Sequence, residues 1–223
     1  MTIATHSPKD NFTLANGVEI PCLGFGTWRL KQGVECREAV EHALRIGYRH
    51  IDTAAIYENE ESVGQAIKNC GIPRREIFVT SKLWNTNRTF DQARRAFDES
   101  MARLNLDYLD LYLVHWPSVQ GIDQDWERTN REKWRSLEQH YHDGRIRAIG
   151  VSNFLPHHLL SLLEQATVSP LVNQLEIHPG YPQTDTVAFC QAHGILAEAW
   201  SPLARGSILN VPELKAIASK LSR

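Results

Sequence analysis

Short apolar segments rich in β-branched and aromatic residues alternate with longer segments of helical periodicity along the chain. Seven of the apolar segments have strand length: 22–28, 48–54, 77–84, 109–116, 146–153, 171–178 and 195–201. Their starts recur at roughly 24–37 residues, which is the size of one strand–helix unit. The pattern predicts a parallel sheet in an α/β fold.

Helical segments and turn residues fill the intervals between these strands. The stretch TFDQARRAFDESMARL places five apolar residues on one stripe at spacings of three and four: Phe90, Ala93, Phe97, Met101 and Leu104. Pro156 begins a second helix, PHHLLSLLEQA, at a position suited to a first helical turn. Four glycines stand where left-handed helix caps are expected: Gly47, Gly71, Gly144 and Gly194. Near the N-terminus, FTLANGVEIP predicts a β-hairpin with its turn at Asn16-Gly17.

Two architectures fit such a series, a doubly wound sheet and a barrel. The doubly wound dinucleotide fold would carry G-x-G-x-x-G after its first strand, but GFGTWR has Arg29 at the third glycine position. This departure favours a (β/α)8 TIM barrel. Because no linker or composition break interrupts the chain, we expect residues 1–223 to form a single barrel domain.

The end of the sequence is incomplete for that fold. Seven of eight barrel strands are present, and the sequence stops within LKAIASKLSR, an amphipathic helical segment without a cap. The first and seventh barrel strands would otherwise be unpaired edges. We therefore expect these residues to belong to a longer chain.

Composition narrows the class of partner. The 24 basic and 26 acidic residues give a formal charge of −2, with no excess of positive charge for nucleic acid or an anionic membrane. The start MTIATHSPKDNF lacks a secretory signal, and no apolar run reaches the roughly 18 residues of a membrane span. Cys22, Cys36, Cys70 and Cys190 are scattered singly, as reduced thiols would be. A cytoplasmic monomer is expected.

Polar and aromatic residues concentrate where the predicted strands end, the face on which barrels carry their active sites. Singly, each has an ordinary explanation: Asp52 as a cap, Lys82 as a solvated side chain, His115 as a core histidine, Tyr57 as a packing residue. Together, these four side chains are expected to converge on one mouth of the predicted barrel, from three adjacent strands. That convergence favours a functional group over four unrelated residues.

The four residues suggest proton donation. A tyrosine with a pKa near 10 is a poor acid at neutral pH until a cation favours its phenolate, and Lys82 is expected to lower the pKa of Tyr57. Asp52 is expected to pair with Lys82 and offset the cost of burying it. Neutral His115 would hydrogen-bond a substrate oxygen, which gives a general acid aimed at a carbonyl group.

Carbonyl reduction also needs a hydride, which no side chain can deliver and a nicotinamide cofactor commonly does. Ser152, Asn153 and Gln174 offer hydroxyl and amide groups suited to a carboxamide. Trp200 offers a flat face for stacking. The sequence thus predicts a nicotinamide-dependent reductase acting on a small carbonyl compound.

Seven blocks in order carry a family resemblance: GFGTW, GYRHIDTAAIYENEESVG, VTSKLW, LDYLDLYLVHWP, IRAIGVSNF, NQLEIHP and AWSPLARG. They resemble the aldo-keto reductases over essentially the whole chain. The resemblance implies an eight-stranded barrel capped below by the N-terminal hairpin, with NADPH extended across the strand ends. Trp200 makes the chain more similar to microbial members, including diketogluconate and small-aldehyde reductases, than to animal aldose reductases.

The resemblance also implies residue roles. Tyr57 corresponds to the family's acid, with Asp52, Lys82 and His115 as the other catalytic positions. The implied cofactor contacts are Thr27, Ser152, Asn153, Gln174, Trp200, Ser201, Leu203 and Ser207. The implied pocket walls are Trp28, Trp84 and Trp116, and Trp126 either reaches the substrate or packs. The segment that grips the adenosine 2′-phosphate is absent, so the choice of NADPH over NADH rests on the family alone.

Two other function classes remain open at this stage. One is a regulatory module that keeps the barrel and cofactor but signals redox state, as the potassium-channel β subunits resemble this family. The other is a metal-dependent barrel hydrolase using Glu176 and His178, with His115 as a third ligand. No complete ligand set supports the hydrolase.

Overall fold

A computed structural model describes residues 10–119 and 121–221. Its strands are β1 (Asn11–Thr13), β2 (Glu19–Pro21), β3 (Gly24–Gly26), β4 (His50–Asp52), β5 (Phe78–Leu83), β6 (Leu109–Val114), β7 (Ile146–Ser152), β8 (Val172–Glu176) and β9 (Leu196–Trp200). Its α-helices are α1 (Val34–Arg45), α2 (Glu60–Asn69), α3 (Phe90–Leu104), α4 (Trp126–His142), α5 (Pro156–Leu163), α6 (Thr184–Ala192) and α7 (Pro212–Lys220). Each of the seven predicted strand segments contains one of the strands β3 to β9.

The strands β3 to β9 form one parallel sheet in chain order. Gln174 on β8 donates a hydrogen bond to Asp52 on β4 over 2.9 Å. In a flat sheet these strands, four steps apart, would be separated by about 19 Å. The sheet is therefore strongly curled, as in a barrel, and the predicted fold class is confirmed with seven strands in the described residues.

The pleat of each strand separates an interior face from a face covered by helices. On β5, Val79 and Leu83 belong to the core beneath the helices, whereas Phe78, Thr80 and Lys82 face inward. The inward residues change from apolar at the strand start to polar at the strand end. This gradient makes the barrel interior apolar at its lower end and polar at its upper mouth.

The hairpin β1–β2 closes the lower end. Its residues Leu14 and Ile20 are buried in one cluster with Phe78, Leu111 and Val172. Because those positions lie in the lower half of their strands, the hairpin covers the bottom of the barrel, as the sequence resemblance implied.

The hairpin turn differs in detail from a two-residue Asn-Gly turn. The Leu14 amide donates to the Val18 carbonyl over 2.9 Å, so three residues, 15–17, form the loop. The Gly17 amide donates to the Leu14 carbonyl over 2.8 Å, and Gly17 has φ 83°. This is a type I turn followed by a left-handed glycine.

The helices pack around the outside of the sheet through apolar stripes. In α3 four of the five residues of the predicted stripe are buried, Ala93, Phe97, Met101 and Leu104, and Phe90 is half-buried. Thr89 and Gln92 form a capping box at the N-terminus of α3. None of the helices within residues 10–119 and 121–221 is long and apolar enough to cross a lipid bilayer.

Helices α2 and α3 approach closely at Gly64. A Cβ atom placed there would lie 2.0 Å from the carbonyl oxygen of Leu104, the last residue of α3. That distance is much shorter than a van der Waals contact. Because the clash is with a backbone atom, it cannot be relieved by moving a side chain. Gly64 is therefore required by packing rather than by its φ angle.

We expect Gly64→Ala to lower the free energy of unfolding by about 2 kcal/mol, because α2 and α3 must separate. A glycine-to-alanine change inside a helix ordinarily stabilises by up to about 1 kcal/mol, so the sign is diagnostic. Urea denaturation measures the change. Gln65→Ala on the exposed side of the same helix is the matched control, and an unchanged stability of Gly64→Ala would contradict the packing argument.

Candidate active site

Four of the predicted residues meet at the upper mouth of the barrel. Asp52 is the last residue of β4, Lys82 lies near the end of β5, and His115 directly follows β6. Tyr57 ends a short 3-10 turn, Ala55–Tyr57, that follows β4. Three adjacent parallel strands and the turn thus bring these side chains together.

Lys82 is the centre of this group. Its side chain is 1% exposed, and its Nζ donates to Asp52 Oδ1 over 2.5 Å and to the Thr53 carbonyl over 3.0 Å. Burial lowers the pKa of Lys82, but the attraction of Asp52 and Tyr57 outweighs burial, so the net shift of the Lys82 pKa is upward. The Lys82 side chain therefore keeps its positive charge at the upper mouth of the barrel.

Tyr57 lies beside that ammonium. Lys82 Nζ is 5.2 Å from the centre of the Tyr57 ring, and the ring meets His115 edge-on at 5.7 Å. Burial raises the pKa of Tyr57, and Lys82 opposes burial without reversing it. Lys82 lowers the Tyr57 pKa as the sequence predicted, but the net shift of that pKa is upward, because desolvation of the phenolate and the charge of Asp52 outweigh the attraction of one cation. In the structure the phenol keeps its proton at neutral pH.

His115 completes the group as a neutral ring. Its side chain also meets Trp84 edge-on at 5.2 Å, and its Nδ1 is buried with no hydrogen-bond partner among the described residues. Burial and then the charge of Lys82 lower the pKa of His115 to about 3. A neutral imidazole has one N–H to donate and one nitrogen to accept.

We expect the His115 ring to stay neutral from about pH 8 down to about pH 5, where an ordinary histidine becomes charged. Ring nitrogen chemical shifts measured by NMR across this range test the prediction. Because the folded pKa is depressed, His115 contributes stability that is present above about pH 6.5 and is lost as the pH falls toward 3. Charged-ring shifts of His115 at pH 6 would contradict the structure.

Asn59 holds the turn that carries Tyr57, and sequence reasoning missed it. Its side chain is fully buried; Nδ2 donates to the carbonyls of Thr27 (2.9 Å) and Leu30 (3.0 Å), and Oδ1 accepts from Thr53 Oγ1 (2.8 Å). An asparagine before a helix usually indicates a cap, but this side chain makes no cap bond. It instead ties the segment after β3, at Thr27 and Leu30, to Thr53 after β4.

A second polar cluster lies opposite, at the ends of β7, β8 and β9. Ser152 Oγ donates to the main-chain carbonyl of Gln174 over 2.8 Å and accepts from Asn153 Nδ2 over 3.0 Å. Asn153 Oδ1 accepts from Trp200 Nε1 over 2.9 Å, which fixes the indole ring. Asn153 has φ 63°, a left-handed conformation that asparagine tolerates better than most residues.

These residues fit a nicotinamide group in one testable respect. The Gln174 carbonyl oxygen Oε1 has no hydrogen-bond partner in the described part of the chain, although the residue is 5% exposed. It is a ready acceptor for a carboxamide NH₂, beside the planar Trp200 ring.

Thr27, another of the predicted cofactor residues, does not lie at the open mouth. It is fully buried, and its amide and hydroxyl both donate to the Asp52 carbonyl.

The remaining predicted cofactor residues lie in the segment after β9. Leu203 is 55% exposed, and Ser207 Oγ donates to the Ala204 carbonyl over 2.8 Å. Ser201, Ala204 and Arg205 all have left-handed φ angles of 50°, 43° and 57°. This backbone is unusual outside functional loops.

Aromatic rings form the rim of the mouth. Trp28 and Trp116 are 45% and 41% exposed, and Trp84 lies beside His115. The guanidinium of Arg205 lies 4.8 Å from the centre of the Trp28 ring, so the segment after β9 reaches the loop after β3. Trp126 packs on α5, meeting His158 edge-on at 5.5 Å.

Two of the three residues considered as metal ligands lie side by side, with His178 Nε2 at 3.7 Å from Glu176 Oε1. Within residues 10–119 and 121–221, no group of three or more His, Cys, Asp or Glu side chains is arranged to hold a metal ion.

Comparisons with known proteins identify the family of the chain. The profile of the Aldo/keto reductase family matches residues 22–218. A glyoxal reductase of Bacillus subtilis (strain 168) is 49% identical over 214 residues, which cover 96% of this chain and 75% of the relative. The crystal structure of an aldo/keto reductase from Brucella melitensis superposes with a TM-score of 0.88 at 42% identity, covering 96% of this chain and 80% of the other.

A Bombyx mori aldo-keto reductase solved in complex with NADP superposes with a TM-score of 0.84 at 36% identity, covering 97% of this chain and 77% of the other. The family profile spans most of the sequence, and the curated relative shares nearly half of its aligned residues. The chain therefore belongs to the aldo/keto reductase family.

Proposed function

We propose that the protein reduces an aldehyde or ketone to an alcohol with NADPH, using Tyr57 as the proton donor. The observation that carries this proposal is the Lys82 ammonium, buried between Asp52 and the Tyr57 ring. A buried cation beside a protonated phenol is suited to stabilising the phenolate that proton donation leaves behind. The name of the Bacillus subtilis relative, a glyoxal reductase, supports a small carbonyl substrate.

The bound cofactor would supply a hydride to the carbonyl carbon. As negative charge develops on the carbonyl oxygen, Tyr57 donates its phenolic proton to that oxygen, and an alcohol results. Lys82 stabilises the Tyr57 phenolate, and Asp52 holds Lys82 in position. Neutral His115 donates an N–H to the same oxygen and orients the carbonyl group.

For the cofactor, we propose that Gln174 Oε1 accepts from the nicotinamide carboxamide and that Trp200 packs on the ring. Ser152 and Asn153 would bind the same carboxamide, and the segment carrying Ser201, Leu203 and Ser207 would contact the phosphates. NADPH rather than NADH is proposed because the Bombyx mori neighbour was solved with NADP. Trp28, Trp84 and Trp116 would form apolar walls around the substrate.

A substrate panel tests the proposal. Aldehydes, ketones, sugars and dicarbonyls such as glyoxals are incubated with the full-length protein and NADPH or NADH, and loss of nicotinamide absorbance is followed. We expect turnover of small aldehydes with NADPH at a higher kcat/KM than with NADH. Tight NADPH binding without turnover of any substrate would overturn the proposal and favour a regulatory module.

A further inference from the structure

The amide of Gln174 is shared between two carboxylates. Its Nε2 donates to Asp52 Oδ2 over 2.9 Å and to Glu198 Oε2 over 3.1 Å. Asp52 uses its other oxygen for Lys82. Glu198, on β9, is therefore linked through one amide group to the pair proposed to support proton donation.

This arrangement fixes which end of the Gln174 amide faces the mouth. Asp52 is paired with Lys82, and an ionised carboxylate only accepts hydrogen bonds, so the NH₂ end faces Asp52 and, beside it, Glu198. The Oε1 end then points away from both, toward the side where it has no partner in the described part of the chain. Reversing the amide would place its oxygen against the carboxylate oxygen of Asp52.

Glu198 is itself held in place from below. Its Oε1 lies 3.8 Å from His50 Nδ1, and His50 Nε2 lies 2.9 Å from Thr80 Oγ1. A Cβ at Gly24 would come within 2.9 Å of the His50 ring, so the ring is packed between neighbouring strands. The Glu198 carboxyl group is therefore enclosed between Gln174 and His50, and its side chain is only 19% exposed.

We propose that Glu198 is a positioning residue, which acts through Gln174 to present Oε1 to the carboxamide of the nicotinamide cofactor. The inference rests on the proposed function, since it concerns the binding of that cofactor. Without Glu198, Gln174 keeps only Asp52 as an acceptor, and its terminal amide, which has a broad torsional preference, can rotate away from the mouth. Cofactor affinity then falls, although Tyr57, Lys82 and His115 are unchanged.

The variants Glu198→Met, Gln174→Met and the double variant test this coupling in the full-length protein. The dissociation constant for NADPH is measured by quenching of tryptophan fluorescence, which does not require turnover. We expect each single variant to raise the dissociation constant about tenfold. The double variant should match Gln174→Met, because Glu198 has no effect once its partner amide is absent.

Two further variants separate positioning from packing. Glu198→Gln keeps an acceptor oxygen at the same place and should restore affinity to nearly that of the unchanged protein. Leu111→Val alters the apolar cluster at the lower end of the barrel, away from Glu198 and Gln174, and should leave the dissociation constant unchanged. The melting temperature of each variant is measured alongside.

The outcomes are distinct. An undiminished effect of Glu198→Met in the Gln174→Met background would overturn the inference, and so would failure of Glu198→Gln to restore affinity. Both results leave the proposed function intact, because the unchanged protein still binds NADPH. Absence of NADPH binding by the unchanged protein would overturn the proposed function and this inference with it.

Discussion

Tyr57→Phe should lower kcat for carbonyl reduction by about 10²- to 10⁴-fold, the usual contribution of a general acid. The substitution removes only the phenolic oxygen and keeps the ring that packs against His115. NADPH affinity should stay nearly unchanged, because the proposed cofactor contacts are made by other residues. Steady-state kinetics and fluorescence titration measure the two quantities separately.

A second tyrosine provides the control for this experiment. Tyr112 on β6 is fully buried on the helix-facing side of the sheet, where it meets Phe97 edge-on at 5.0 Å. Tyr112→Phe removes a hydroxyl from the same barrel without altering the mouth, and kcat should be retained. If Tyr57→Phe also retains kcat, another group is the acid and the proposed mechanism fails.

The strand pattern could be predicted because it depends on local residue spacing. The spacing of apolar segments predicted β3 to β9, and the polar residues at their ends predicted that Asp52 would meet Lys82. That pair joins neighbouring strands, so it follows from the parallel register alone. Prediction succeeded where contacts are set by adjacent strands.

Contacts across the barrel were not predictable in the same way. Gln174 meets Asp52 over a sequence separation of 122 residues, and Glu198 meets His50 from the other edge of the sheet. These contacts depend on how tightly the sheet curls, which no local spacing specifies. The sequence therefore predicted the residue types at the mouth but missed the layer beneath them.

The predicted direction of the net Tyr57 pKa shift was wrong for a related reason. A pairwise argument from Lys82 predicted a lower pKa, but the shift depends on the whole environment of the phenol. Burial beneath the rim raises the pKa more than Lys82 lowers it. For a reductase this direction is useful, because the proton must be present before it can be donated.

Lys82→Met tests the electrostatic part of the mechanism most directly. Loss of the ammonium removes the group proposed to stabilise the Tyr57 phenolate, so we expect kcat to fall by at least about 10²-fold. Since Lys82 lowers the Tyr57 pKa, its removal should raise that pKa further. If Tyr57 is the proton donor, activity declines at high pH as Tyr57 loses its proton, and in Lys82→Met this decline should move to higher pH.

The same variant should lose stability, because Asp52 is left in the mouth without its cation. Removing one partner of a buried pair costs about 3–5 kcal/mol, but Asp52 is 15% exposed and keeps Gln174, so about 2 kcal/mol is expected here. The double variant Asp52→Asn with Lys82→Met should recover most of this stability and none of the activity. A pH profile that does not move in Lys82→Met would contradict the mechanism. It would show that the buried Lys82 charge stabilises the barrel without acting on the pKa of Tyr57.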